Sequence, residues 1–267
     1  MRWEAAETSV SNLDREQKEA RLGALLTLEQ LAEYKTTMRL TRGVGGPGPS
    51  YPPAMDWRSH QGYNWTTPVR DQGACGACVS FAVIGAMEPV YRYSQGQPNL
   101  TIDLSEAFLF FCGGGNCETG WYIPPALNFA KTTGVTDENC FPYPSPAHQE
   151  SCDRRCHDWS NRSYKIISWQ ALSQSDQMKA SISSKGPVIT QMETYDDFYH
   201  YRSGVYAHAT GDFLGHHAIT VVGYDDNQNY WICKNSWGIG WGEGGWFRIQ
   251  YGECGIATKF PMYTIEF

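Results

Sequence analysis

The stretch "RDQGACGACVSFA", residues 70–82, decides how this chain folds. It contains a C-x-x-C pair, Cys75 and Cys78, which can be a redox disulfide, half of a zinc site, or a structural cysteine beside a reactive one. The apolar run that starts at Cys78 and continues to residue 94, "CVSFAVIGAMEPVYRYS", is too long for an ordinary strand. It therefore predicts a buried central helix with Cys78 at its N-terminus, where the helix dipole stabilises a thiolate.

The surroundings of the pair help to separate these three interpretations. Residues 63–74, "YNWTTPVRDQGA", are polar and turn-like, and no βαβ pattern follows, so a thioredoxin-like redox site is disfavoured. A zinc site would need further ligands, which Cys152, Cys156 and His157 could supply, but in a cysteine-rich chain such a loop more often forms disulfides. We favour the third interpretation and keep the other two as alternatives.

The composition limits what the chain can be and where it works. With 267 residues, 41% of them hydrophobic, it can bury the core of one large or two modest domains. A net charge of −7 gives no general attraction to nucleic acid or an anionic membrane, and no apolar run reaches the ~18 residues of a membrane-spanning helix. Nine cysteines suggest eight in disulfides and one free thiol; with possible glycosylation sequons at Asn64, Asn99 and Asn161, they predict a secreted, periplasmic or lysosome-like location.

The first 50 residues differ in composition from the rest. Residues 1–42 contain neither cysteine nor proline and are rich in helix formers. Ser11-x-x-Asp14 and Thr27-x-x-Gln30 predict the N-caps of two short helices, with a break at Gly23. The stretch "RGVGGPGPSYPPAMDW" (42–57) has the composition of a linker. We therefore expect a helical segment and linker over 1–50 and a separate domain over 51–267.

The order of the remaining patterns predicts an α+β fold. Two more helices are expected, one from Ser105 over residues 105–111 and one over 124–134. Four strand patterns follow, at residues 186–193, 217–225, 229–237 and 244–251. A helical first half and a β-rich second half would place a shared site in the cleft between them.

A reactive cysteine needs a base and a group that orients the base. His216 and His217 stand at the head of the apolar strand "HAITVVGYD", and Asn235 follows the strand pattern "NYWICK". The motifs "DQGACGAC", "HHAITVVGY" and "KNSWGIGWGEGGWFRI" thus occur in that order, and together they resemble the papain-like cysteine proteases, the family of papain and the cathepsins. The resemblance covers about residues 56–260. It implies a two-lobed fold, with a helical lobe over about 56–165, an antiparallel β-barrel-like lobe over about 166–260, and the active site between them.

The resemblance also implies the role of each site residue. Cys78 matches the nucleophile, and His217 matches the imidazole that forms a thiolate–imidazolium pair with it. Asn235 matches the residue that orients the imidazole, and Trp237 matches the indole that shields their hydrogen bond. Gln72 matches the side-chain donor of the oxyanion hole. His216, the flanking histidine, is expected to stay largely neutral.

The implied function is that of an endopeptidase that cleaves polypeptides through an acyl-enzyme and uses no metal or cofactor. We expect a monomer made as a zymogen, with residues 1–50 acting as an inhibitor in cis and cleavage within residues 43–55. One alternative is an inactive papain-fold binding protein, and another is a C-x-x-C thiol oxidoreductase. No nucleic-acid partner and no membrane insertion are expected.

The resemblance places the substrate pocket at Gly120, Trp121, Tyr122, Gln191, Ala218 and Lys259. Here P2 denotes the substrate side chain second before the cleaved bond, and this pocket would receive it. Gln191 and Lys259 are unusually polar for such a pocket, which suggests a short pocket or one that takes a polar or acidic P2 residue. Alternatively, Lys259 points to solvent. Only Gly120 remains of the family's usual glycine pair, because Thr119 replaces its neighbour.

The resemblance leaves Cys78 free and suggests the disulfides Cys75–Cys117, Cys112–Cys152 and Cys140–Cys156. For the last two cysteines, Cys233 and Cys254, a disulfide is favoured over two buried thiols.

Overall fold

A computed structural model describes residues 3–27 and 51–267. Its helices are α1 (Arg15–Glu19), α2 (Cys78–Ser94), α3 (Ile123–Thr132) and α4 (Ser175–Ser184). Helix α2 covers the apolar run expected to form the central helix, and it is buried from Cys78 to Val90. Within the described ranges, no helix combines the length and apolar character needed to cross a bilayer.

The other two expected helices form beside α2. A short π-helical turn, Phe108–Cys112, follows Ser105, whose hydroxyl accepts the N–H of Phe108 at 2.8 Å as expected of a cap. Helix α3 has proline in its first turn, where the missing N–H costs nothing. These helices pack against α2 in one apolar cluster, the core of the helical lobe.

The β-rich lobe is built on one large sheet. In the part of the chain that the structure describes, eight strands form this sheet in the order β3-β10-β4-β7-β8-β9-β6, with β2 paired to β7, and two more form the pair β1-β5. The ten strands are β1 (Glu4–Ala5), β2 (Ala54–Asp56), β3 (Ser168–Leu172), β4 (Val188–Tyr195), β5 (Tyr201–Ser203), β6 (Val205–Tyr206), β7 (Phe213–Asp225), β8 (Tyr230–Lys234), β9 (Trp246–Gln250) and β10 (Met262–Glu266). β4, β7, β8 and β9 correspond to the four strand patterns in the sequence. The antiparallel pair β4–β7 is central to the site, because it sets Gln191 opposite Ala218 and Met192 opposite His217.

Each lobe contributes residues to the apolar core of the other. Trp57 and Trp65, early in the domain, are buried in the apolar cluster of the β-rich lobe. In return, Ile189 of β4 and Ala218 of β7 belong to the cluster of the helical lobe. Strands β4 and β7 therefore contribute to both cores, which fixes the position of the sheet against α2.

Three disulfides join described residues, and they are the pairs suggested by the resemblance: Cys75–Cys117, Cys112–Cys152 and Cys140–Cys156. The expected Cys233–Cys254 disulfide is wrong, because both residues are free, buried thiols. Cys233 pairs with Phe247 across the β8–β9 ladder, whereas Cys254 lies seven residues further along, in a turn beyond the end of β9. A disulfide requires the two Cα atoms to approach within about 7 Å, and the β8–β9 ladder does not set Cys254 opposite Cys233.

Residues 3–27, here called the N-terminal segment, lie along the β-rich lobe. Strand β1 pairs with β5, and the indole of Trp3 donates to the carbonyl of Ala207 at 2.9 Å. Helix α1 is capped by Asp14 and not by Ser11, because Asp14 forms a reciprocal capping box with Gln17. The expected second helix and most of the expected linker lie outside the described residues.

Candidate active site

The thiol of Cys78 lies in the first turn of α2. It is fully buried, and its Sγ accepts the backbone N–H of Ala218 at 3.4 Å. Because Ala218 follows His217 on β7, this contact brings the end of the helix against the strand that carries the predicted base.

His217 is held by Asn235. Its Nε2 donates to Oδ1 of Asn235 at 2.7 Å, and the N–H of Ser236 donates to the same oxygen at 2.8 Å. The ring is fully buried and lies 4.9 Å, centroid to centroid, from the equally buried indole of Trp237. With its proton on Nε2, His217 keeps a lone pair on Nδ1, which has no hydrogen-bond partner. The arrangement thus leaves one nitrogen ready to accept a proton.

Gln72 is oriented by both lobes. Its Oε1 accepts the hydroxyl of Ser236 at 2.6 Å, while its Nε2 donates to the carbonyl of Cys75 at 2.8 Å. Nε2 also donates to the carbonyl oxygen of Arg21 at 3.0 Å. Since Arg21 belongs to the N-terminal segment, a backbone oxygen of that segment already occupies a donor suited to an oxyanion.

The N-terminal segment continues past the thiol in an extended conformation. The carbonyl of Gly23 accepts the N–H of Trp121 at 2.8 Å, and the N–H of Leu25 donates to the carbonyl of Trp121 at 2.9 Å. Between them, the N–H of Ala24 donates to the carbonyl of His216 at 3.2 Å. The segment thus bridges the cleft by backbone hydrogen bonds to both lobes.

Only glycine fits at the centre of this contact. A Cβ atom added to Gly23 would lie 2.0 Å from the carbonyl oxygen of Gly76, and one added to Gly120 would lie 2.1 Å from the carbonyl oxygen of Gly23. Gly120 also has a φ of +83°, which favours glycine. Side chains at either position would separate the segment from the floor of the cleft.

Charged contacts hold the same segment beyond the cleft. Lys18 pairs with Asp196 at 3.2 Å, and Arg21 pairs with Asp71 at 3.0 Å. The hydroxyl of Tyr199 donates to the carbonyl of Lys18 at 2.7 Å. The Lys18 and Arg21 side chains are mostly buried, so these pairs are less screened by solvent than exposed ones.

Under this cover, burial shifts the pKa values of Cys78 and His217 toward their neutral forms. Burial raises the pKa of Cys78 to about 11, although the backbone N–H groups of Ala218 and Gly23 partly oppose the shift. Burial also lowers the pKa of His217 to about 4, an effect that its hydrogen bond to Asn235 partly offsets. The sequence pattern predicts an activated thiolate, but here the desolvation of charge outweighs the helix dipole. Burial therefore favours a neutral thiol and a neutral imidazole over an ion pair in the covered site.

This state predicts an unusual pH dependence for alkylation of Cys78 in the full-length chain. Because only the thiolate reacts, the rate should rise about tenfold per pH unit and reach no plateau below about pH 11. Iodoacetamide labelling followed by mass spectrometry of the Cys78 peptide measures this. The urea-unfolded chain is the control, with a plateau near the ordinary thiol pKa of about 8.5. A similar plateau in the folded chain would contradict the neutral, buried thiol.

The residues predicted to line the substrate pocket differ in how they contribute to the cleft. Trp121 lines the cleft with its backbone, while its indole packs inward against Gly113 and Phe110. Tyr122 is half-buried at the start of α3. Gln191 and Ala218 lie opposite each other in the β4–β7 ladder.

Lys259 does not point freely to solvent. Its ammonium pairs with Glu193 at 2.5 Å. His216, opposite Glu193 in the β4–β7 ladder, has its pKa lowered by burial, in agreement with the expected neutral imidazole.

The sequence patterns did not indicate several residues that take part in the candidate active site. Ser236, which orients Gln72, lies inside the "KNSWG" motif, so its neighbourhood could have indicated it. Arg21 and Gly23 lie in a stretch whose composition indicates only a helix break, and they act through backbone atoms that leave no side-chain signal.

The structure argues against the redox and zinc interpretations of the C-x-x-C pair. Cys75 is bonded to Cys117 and not to Cys78, so the pair forms no redox disulfide. Cys152 and Cys156 are also in disulfides, which leaves Cys78 as the one unbonded cysteine of the suggested zinc site. Over residues 3–27 and 51–267, no cluster of three His, Cys, Asp or Glu side chains could hold a metal ion.

Comparison with known proteins finds similarity to one family at the level of both sequence and structure. The model of the papain family cysteine proteases matches residues 51–264. Cathepsin B-like CP3 of Giardia intestinalis is 34% identical over 221 residues, which are 78% of this chain and 73% of that protein. Among solved structures, procathepsin B S9 from Trypanosoma congolense has a TM-score of 0.80 at 24% identity, covering 99% of this chain and 92% of the other. Digestive procathepsin L 3 of Tenebrio molitor has a TM-score of 0.77 at 26% identity, covering 100% and 84%. The similarity to these proenzymes includes the N-terminal segment.

Proposed function

Because the chain belongs to the papain family of cysteine proteases, we propose that it is a cysteine-type endopeptidase with Cys78 as nucleophile and His217 as base. The observation that carries the proposal is the joint placement of these two residues with Asn235. The Cys78 thiol contacts the residue next to His217, and the His217 ring is held by Asn235 in the tautomer that leaves Nδ1 free.

The proposed reaction begins once the N-terminal segment leaves the cleft. The thiol proton moves to Nδ1 of His217, and the thiolate attacks the carbonyl carbon of the peptide bond. The resulting oxyanion is stabilised by Nε2 of Gln72 and the N–H of Cys78; one such donor contributes typically ~10² to 10³ in rate. His217 then protonates the leaving amine, and a thioester to Cys78 remains. Water, deprotonated by His217, hydrolyses the thioester and restores the thiol.

Trp237 and Asn235 support this reaction indirectly. A neutral amide orients the imidazole without adding a charge that would compete with the thiolate. The buried indole of Trp237 covers the His217–Asn235 hydrogen bond, and exclusion of water strengthens that bond.

We infer that the chain is a zymogen whose N-terminal segment inhibits in cis. Arg21 blocks the oxyanion donor, and Gly23 lies against the thiol. We place the activating cleavage within residues 43–55. A cut in the part of this range that precedes β2 (Ala54–Asp56) keeps β2 in the mature chain, where it pairs with β7 of the large sheet. The mature enzyme would act on polypeptides as a monomer.

The proposed location is a secreted, periplasmic or lysosome-like compartment. Three disulfides support it, since such bonds persist in oxidising surroundings.

Labelling with an epoxide inhibitor of thiol proteases tests the proposed function. In full-length protein activated by limited proteolysis, we expect one covalent adduct, on the Cys78 peptide, together with loss of peptide hydrolysis. The untreated full-length chain is the matched control and should be labelled slowly, because Cys78 is buried. An activated protein that neither hydrolyses peptides nor takes the label would favour the inactive binding protein.

A further inference from the structure

The side chain of Gln191 is an unusual feature of the cleft. It is 1% exposed, yet neither its Oε1 nor its Nε2 has a hydrogen-bond partner. A primary amide can make four hydrogen bonds, and buried polar groups are nearly always paired. An unpaired amide at this depth suggests that its partner comes from another molecule.

The β4–β7 register shows which way Gln191 faces. Residues directly opposite each other in an antiparallel pair share a face of the sheet, so Gln191 lies on the same face as Ala218. The next pair, Met192 and His217, lies on the other face. Ile189 and Ala218, which share this face with Gln191, belong to the apolar cluster of the helical lobe that also contains Cys78, so Gln191 faces the lobe that carries the nucleophile.

Ala24 occupies the space where a substrate side chain would enter. Gly23 is next to the thiol, and Ala24 is the neighbouring residue, held between the backbones of Trp121 and His216. Ala24 is 3% exposed and belongs to the same apolar cluster as Ala218. Counted from the thiol, it stands at the P2 position, and its methyl group offers Gln191 no hydrogen bond.

The charges around this pocket balance one another. Lys259 pairs with Glu193, the next residue after Gln191 on the same face of β4. His216, opposite Glu193, has its pKa lowered by burial, which favours the neutral imidazole. Because Lys259 is already paired with Glu193, it offers an acidic P2 side chain no free counter-charge, whereas the buried Gln191 amide still needs a hydrogen-bonding group.

We propose that Gln191 selects substrates with a carboxamide side chain, asparagine or glutamine, at P2. An amide supplies both a donor and an acceptor, so it pairs with the Oε1 and Nε2 of Gln191 at once. An apolar side chain of the same size would leave the buried amide unpaired, and sites of this kind reject such analogues strongly. This inference rests on the proposed function and names the substrate class that the same site prefers.

Two peptide substrates that differ only in asparagine or leucine at P2 test the inference, because these side chains are nearly isosteric. With full-length protein activated by limited proteolysis, we expect kcat/KM to be at least about tenfold higher for asparagine. Gln191→Leu should reverse the order by a similar factor. Gln191→Met, which keeps the unbranched shape, should do the same if the leucine variant folds poorly.

Gln170→Leu is the matched control, since it makes the same change on the exposed strand β3 and should keep the asparagine preference. Titration with an epoxide inhibitor gives the active-site concentration of each protein. Labelled wild-type enzyme that prefers leucine, or an unchanged order in the Gln191 variants, overturns the inference and leaves the proposed function standing. Wild-type enzyme without label or hydrolysis overturns the proposed function, and the inference with it.

Discussion

Replacing Cys78 with alanine is expected to lower kcat/KM for peptide hydrolysis by roughly 10⁴-fold or more, because removal of a catalytic nucleophile leaves only binding and oxyanion stabilisation. The alanine methyl fits the buried site at the start of α2, so the fold should be retained. The measurement is peptide hydrolysis by activated enzyme, with thermal unfolding as a check on the fold. KM should change little, since substrate contacts other than the thiol remain.

The chain provides its own controls for this substitution. Cys233 and Cys254 are also free, buried thiols, but they lie in the β-rich lobe away from the cleft. Cys233→Ala and Cys254→Ala should each cost about 1 kcal/mol of stability, the order expected for a small buried group. Each should keep kcat/KM within about twofold of the wild type. Hydrolysis that persists in Cys78→Ala and disappears in Cys254→Ala would assign the nucleophile elsewhere.

The sequence indicates the proposed catalytic residues more clearly than it indicates how they are held. Cys78, His217 and Asn235 stand in short motifs whose residue types have a direct chemical meaning, and the structure brings them to one cleft. The state of the thiol was not predictable from these motifs. It depends on burial by a segment more than 50 residues earlier in the chain, and burial is a property of the fold.

The elements of the fold also divide into those that the sequence predicts and those that it does not. Helix α2 and strands β4, β7, β8 and β9 follow from their apolar runs, because long buried elements carry strong patterns. Strands β3 and β10 were not predicted; they form through pairing between distant parts of the chain, β3 with β10 and β10 with β4. Counting cysteines suggested a fourth disulfide, but the count contains no information on the β8–β9 register that separates Cys233 from Cys254.

Gly23→Leu is expected to open the covered site in the full-length, uncleaved chain and to raise the alkylation rate of Cys78 by roughly 10- to 100-fold. The added Cβ would lie 2.0 Å from the backbone carbonyl of Gly76, which cannot move aside like a flexible side chain. Overpacking of this kind costs about 1–3 kcal/mol. Each 1.4 kcal/mol changes an equilibrium tenfold, so the open population rises by that order. Iodoacetamide labelling at pH 7, read at the Cys78 peptide, measures the change.

Ala6→Leu is the matched control for this substitution, because it enlarges an exposed residue of the same segment, away from the cleft, and should leave the rate unchanged. Contacts of α1, such as Lys18 with Asp196, should keep the segment attached while its central residues lift. Opening would free Gln72 from Arg21 and rehydrate Cys78, so the thiol pKa should fall from about 11 at the same time. Equal labelling rates in wild type, Gly23→Leu and Ala6→Leu would mean that the close fit of Gly23 against Gly76 does not control access to the thiol.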